Sequence, residues 1–176
     1  STPPDDLPLL HHADDIGWVT SRSSWREDAT MVGFKCGPMH GHKAQGYYDG
    51  EPSHHSIGGG HGHPDVNSFQ IYSNGRWLAI DPEYEKPKWT RSHCSVLVNG
   101  KGQLGAGKTW FDRDAVLRSG ASSKILKVES HSEFDYVVGD AGTIYGPPLT
   151  RFHRHLVFVK PDIIVILDDL EAETST

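Results

Sequence analysis

The residues best equipped for chemistry lie in one stretch, Gly58-Gly59-Gly60-His61-Gly62-His63-Pro64-Asp65-Val66-Asn67-Ser68-Phe69, with Asp81 and His93 downstream. Imidazole nitrogens and a carboxylate oxygen form a donor set that suits Zn2+, and three protein ligands leave a fourth position open. The glycine run lets the backbone turn tightly and approach a ligand, because no Cβ restricts it. Histidines two apart point the same way in extended chain. Asp81 follows the apolar run Trp77-Leu78-Ala79-Ile80, and His93 precedes Ser95-Val96-Leu97-Val98. The expectation is a zinc site of histidine, carboxylate and histidine where three strand ends converge. The residues alone leave a plainer alternative open, a polar loop in which Asp81 only begins a turn with Pro82. Tyr84 has two readings as well: a phenol reaching a substrate held near the metal, or an aromatic packing at the rim. His40, His42, His54 and His55 are weaker candidates in sequence without a period.

Three other patterns compete. Gly102-Gln103-Leu104-Gly105-Ala106-Gly107-Lys108-Thr109 satisfies the phosphate-loop pattern. Such a loop must leave a buried parallel strand and open a helix facing the phosphates. Here Asn99-Gly100-Lys101 intervenes, the following helical stretch is short, and the neighbouring segments read as hairpins. The pair His61 and His63 also suits a cupin-like metal barrel, but the glutamate expected soon after is missing. Arg151, His153, Arg154 and His155 precede an apolar strand. Alternation sets 153 and 155 on one face and 154 on the other, and a solvated face with Arg154 bridging carboxylates is the expectation.

The elements that must position these groups read as short strands. Residues 16–22, 30–35, 69–72, 76–80, 94–98, 124–129, 134–138, 156–160 and 163–167 carry strand signals, with Asn74-Gly75 a strong hairpin turn. Residues 110–118 could make two helical turns, stopped by Ser119-Gly120. Residues 37–60 read as one long loop, and loops of that length are commonly functional. Short strands separated by turn signals point to an all-β antiparallel sandwich.

At 176 residues the chain is long enough for one domain with a sizeable core. Its net charge of −6 and lack of a basic run argue against nucleic acid, and no apolar run reaches membrane-spanning length. Twelve histidines are the unusual feature, seven of them from His40 to His93. Cys36 and Cys94 could pair or remain free thiols. The opening Ser1-Thr2-Pro3-Pro4 reads as a cut within a longer chain.

The block from Gly60 to Phe69, then Gly75-Arg76-Trp77-Leu78-Ala79-Ile80-Asp81-Pro82 and Thr90-Arg91-Ser92-His93, resembles the heparinase II/III-like polysaccharide lyases, including oligoalginate and heparan-type exolyases. Val98-Asn99-Gly100-Lys101-Gly102-Gln103 and the late segments 154–162 and 165–168 extend the likeness. The resemblance implies a C-terminal β-sandwich over residues 16–176, with residues 1–15 a linker from an upstream α/α-toroid. It implies a Zn2+ ion held by His63, Asp81 and His93, with His61 facing the substrate cleft and Tyr84 a second candidate for proton transfer. His61 and Arg91 are the candidate substrate-binding residues. The implied reaction is β-elimination on an anionic uronic-acid polysaccharide or oligosaccharide, in the periplasm or outside the cell. The principal acid and base would come from the toroid, so this part alone is expected to be inactive. A metal-stabilised carbohydrate-binding or structural sandwich is the alternative. One departure stands out: the family often has Asn where this chain has Cys94.

Overall fold

Alternation of apolar and polar residues builds nine strands among the described residues. The computed structural model describes residues 4, 6–38, 40–46, 59–81, 84–147 and 149–173. Strands β1 (Leu10–Ala13), β2 (Trp18–Arg22), β3 (Met31–Lys35), β4 (Ser68–Ser73) and β5 (Arg76–Ala79) form one antiparallel sheet in sequence order. Strands β6 (Lys124–Ser130), β7 (Phe134–Asp140), β8 (Leu149–Val159) and β9 (Ile163–Ala172) form a second. In β8, Phe152, Arg154, Leu156 and Phe158 are buried while the residues between them are half-exposed. That period of two is what a strand with one buried face requires. Between β4 and β5, Asn74 and Gly75 both take positive φ, the requirement of a two-residue hairpin turn.

Val19, Val32 and Phe34 of the first sheet and Val137, Phe152, Leu156 and Phe158 of the second share one buried core. Polar ties cross it. The Asn67 amide donates to the carbonyls of Gly139 and Phe152, each at 3.2 Å. Asp135, wholly buried, accepts from Ser21 and faces the Lys160 ammonium at 3.0 Å. These bonds satisfy groups whose burial would otherwise be costly. The all-β antiparallel sandwich is therefore the fold.

Several expectations need correction. Residues 10–13, which fall in the expected linker, form β1, which pairs with β2. Residues 94–98 are not a strand; Val98 only bridges to Lys101. Strand β8 begins at Leu149, before the basic cluster, so Arg154 lies in the core rather than on a solvated face. The helix α2 is Arg113–Ser119, capped by the Asp112 carboxylate, which accepts from the Ala115 N–H. The supposed loop holds a short helix, α1 (His42–Gly46), and His54 and His55 lie outside the described residues. Both cysteines are free.

Candidate functional site

Two long connections bring the candidate residues together: the one between β3 and β4, and the one between β5 and β6. The first carries His61, at the end of a 3-10 turn (Gly59–His61), and His63. The second carries Asp81, Tyr84, Lys88 and His93. Gly60 has the Trp110 side chain against it; a Cβ there would stand 3.0 Å from the indole. The Phe111 N–H donates to the Gly60 carbonyl at 3.2 Å, which ties the two connections beside His61.

His63 Nδ1 lies 3.3 Å from His93 Nε2, and His93 Nδ1 lies 2.9 Å from Asp81 Oδ2. The structure therefore places the three sequence-derived metal candidates side by side. The 2.9 Å contact is close but not aligned as a hydrogen bond. It leaves His93 Nδ1 and Asp81 Oδ1 buried and without a hydrogen-bond partner. Orphaned buried acceptors are unfavourable unless a proton or cation compensates them, and His93 turns different ring nitrogens to His63 and to Asp81, so the donor atoms that could share one ion are those on the Asp81 side. Asp65, which the sequence reading passed over, also belongs here. Its carboxylate, Asp81 and His93 present ligand atoms within 4.8 Å of one another. The hint was its place two residues after His63; in the fold Asp65 also pairs with Lys35.

The state of His63 follows from its surroundings. An apolar cavity of about 70 Å³, walled in part by Val66, Phe111 and Leu117, touches it. Burial, and then the charge of Lys88, hold the imidazole below its ordinary pKa. A neutral imidazole is the form that ligates metal. Lys88 is itself unexpected, being 0% exposed. Its ammonium lies 3.2 Å from His63 Nε2 and 3.1 Å from the centre of the Tyr84 ring. A cation over an aromatic face is strengthened when both are withdrawn from water. No sequence pattern singled out this lysine.

Beside the cluster, the Tyr84 hydroxyl lies 3.0 Å from His61 Nδ1. Both side chains are exposed, Tyr84 by 53%. The His61 ring also meets Trp110 edge-on with centroids 5.2 Å apart, and the Lys86 ammonium sits 3.9 Å over that indole. A histidine and a phenol in hydrogen-bond contact at an exposed rim can exchange protons with a bound molecule. Arg91 does not join them; its guanidinium stacks over Trp89 at 4.7 Å.

Arg154 supports the site from within. It forms a two-point ion pair with Asp168, at 2.7 Å for each contact, and donates to the carbonyls of Asn67 and Cys94. Cys94 thus serves through its backbone beside His93. Burial, then the nearby Asp81 charge, raise the pKa of its thiol. The phosphate-loop pattern is spent on packing. Gln103 is buried and clamps Val66 through both amide atoms, accepting from its N–H at 3.0 Å and donating to its carbonyl at 2.8 Å. Residues 102–109 lie in turns with no strand leading into them.

The family model described as "Heparinase II/III-like, C-terminal" matches residues 5–176. Among solved structures, heparan sulfate lyase HepC from Pedobacter heparinus is 17% identical with a TM-score of 0.64, over 95% of this chain and 23% of that one. A structure of heparinase III is 19% identical with a TM-score of 0.61, over 98% of this chain and 23% of its own. The chain thus spans less than a quarter of the length of those lyases. No curated protein matches it.

Proposed function

The chain belongs to the heparinase II/III-like C-terminal family, and from that membership we propose that it is the sandwich part of a lyase that cleaves uronic-acid-containing glycans by β-elimination. The observation that carries this reading is the 3.0 Å contact between Tyr84 and His61 next to the His63, His93 and Asp81 cluster. In such a reaction a base removes the proton beside the uronate carboxylate, and an acid protonates the departing oxygen. His61 and Tyr84 present a nitrogen and a hydroxyl that can assist this proton traffic, at an exposed edge where a sugar has access. The ammonium of Lys86 over Trp110 adds positive charge and an aromatic face at the same edge.

A Zn2+ ion bound by His63, Asp81 and His93 would supply a fixed charge that ties the His61 connection to the segment after β5. Support comes from burial and the Lys88 charge, which favour the neutral form of His63, and from the unpartnered atoms of His93 and Asp81; Asp65, whose carboxylate lies with theirs, is a further ligand candidate. The principal acid and base belong to an upstream helical domain in this reading, which makes the chain inactive alone. A periplasmic or secreted location belongs to the same reading, where anionic polysaccharides are met.

The test is an assay on alginate, heparan sulfate and related glycans, following the ultraviolet absorbance of an unsaturated uronate end. It is run on the chain alone and on a longer polypeptide that carries it. Activity only in the longer form supports the proposal. Binding with no cleavage in either form favours the carbohydrate-binding alternative.

A further inference from the structure

The chain is acidic overall, with a net charge of −6, yet residues 84–110 hold Lys86, Lys88, Arg91, Lys101 and Lys108 against Glu85 alone. Five cations against one acid leave this segment with a local excess of four positive charges. The segment folds around a cleft of about 300 Å³, to which Trp89, Arg91, Leu97 and Lys101 contribute. None of His61, His63, Asp81, Tyr84 and His93 lines it, and among the described residues no acid does. A cleft lined by one sign of charge concentrates ligands of the other sign.

Its walls are held in place. Lys101 closes a two-residue turn through Asn99-Gly100, exchanging two 2.9 Å hydrogen bonds with Val98. The buried Thr90 hydroxyl accepts from the Gln103 N–H at 2.9 Å. Gly102 packs so closely on Thr90 that a Cβ would collide with its hydroxyl. The Trp89 indole lies against Gly107, and the Arg91 guanidinium stacks on it. The glycines of the phosphate-loop pattern thereby shape the cleft floor and seat its tryptophan.

We propose that this cleft is a second binding subsite, for an acidic saccharide unit, separate from the His61–Tyr84 edge. Arg91 and Lys101 hold the carboxylate or sulfate, since a guanidinium fork matches two oxygens of one anion. The exposed Leu97 offers apolar surface that a sugar ring covers, while Trp89 holds the Arg91 guanidinium in place beside it. The proposal rests on the anionic-glycan reading above and extends it, giving the chain a hold on substrate away from the reacting bond.

The experiment titrates this chain with an unsulfated uronate tetrasaccharide, a sulfated one, neutral maltotetraose and inorganic sulfate. Calorimetry and the Trp89 indole NMR signal report binding. The acidic tetrasaccharides should bind and shift that signal, and maltotetraose should not. Arg91→Gln with Lys101→Gln, both exposed positions, should weaken binding by about tenfold or more, with unchanged thermal unfolding. Four results would overturn the proposal: no binding of either acidic sugar, equal binding of maltotetraose, sulfate binding as tightly as the tetrasaccharides, or full affinity in the double variant. A longer polypeptide that cleaves glycan while its binding ignores Arg91 and Lys101 refutes the subsite alone. A polypeptide that binds through both residues but cleaves nothing supports the subsite and refutes the lyase reading.

Discussion

The phenol oxygen of Tyr84 stands 3.0 Å from His61 Nδ1, although 23 positions separate the two residues along the chain. Neither sits on a strand; the sandwich acts as a frame that brings two connections together.

Tyr84→Phe keeps the ring over which Lys88 sits and removes only the hydroxyl. In a polypeptide with lyase activity, turnover should fall by roughly 10²–10⁴-fold, the usual contribution of one placed proton-transfer group. Metal content, measured by elemental analysis, should not change. Activity equal to that of the wild type would remove Tyr84 from the chemistry.

His93→Ala deletes the imidazole that faces both His63 and Asp81. The purified variant should contain no zinc, whereas the wild type should contain one ion per chain. Because an ion that binds only the folded form stabilises it, by about 2.7 kcal/mol at a hundredfold excess over Kd, chelation should lower the melting temperature of the wild type and leave the variant unaffected. A wild type that binds no zinc would refute the metal site.

Lys88→Met removes a positive charge 3.2 Å from His63 Nε2. Zinc should bind at least as tightly as in the wild type, measured by competition with a chromophoric chelator. Turnover should drop by roughly tenfold as Tyr84 loses the cation over its ring. Weaker zinc binding would show that the ammonium supports the ligands instead of opposing the ion.

Arg154→Met leaves Asp168 and the carbonyls of Asn67 and Cys94 without their donor. Breaking a buried pair from one side is expensive, so a loss of about 3 kcal/mol is expected in denaturant unfolding. Arg154→Lys should recover little, because an ammonium cannot span Asp168 and two carbonyls at once. A loss under about 1 kcal/mol would place this arginine with ordinary surface pairs.

Tyr145 supplies a pH dependence. Burial holds its phenol above the ordinary value of 10.0. The unfolded chain therefore releases this proton first. The stabilisation is complete below a pH of about 10 and is lost as pH rises through the folded value. Tyr145→Phe should flatten the alkaline limb of the stability profile. It should also cost about 1 kcal/mol near neutrality through hydrogen bonds lost at Val96 and Ser95.

The sequence by itself determined the sandwich, because alternation and turn residues such as Asn74-Gly75 are local signals that each strand carries alone. It also brought His61, His63, Asp81, His93 and Tyr84 forward, since their types are those that bind metal and move protons. What it could not determine were Lys88, Asp65 and the buried Arg154. A lysine and an aspartate look solvated until tertiary packing takes water away and puts a ring, an imidazole or a carbonyl in its place. The strand expected at residues 94–98 failed for a related reason: Val96 and Val98 pack against the core from irregular chain instead of pairing along an edge. Contact across long connections depends on the path of the whole chain, and only the folded structure decided which of these groups meet.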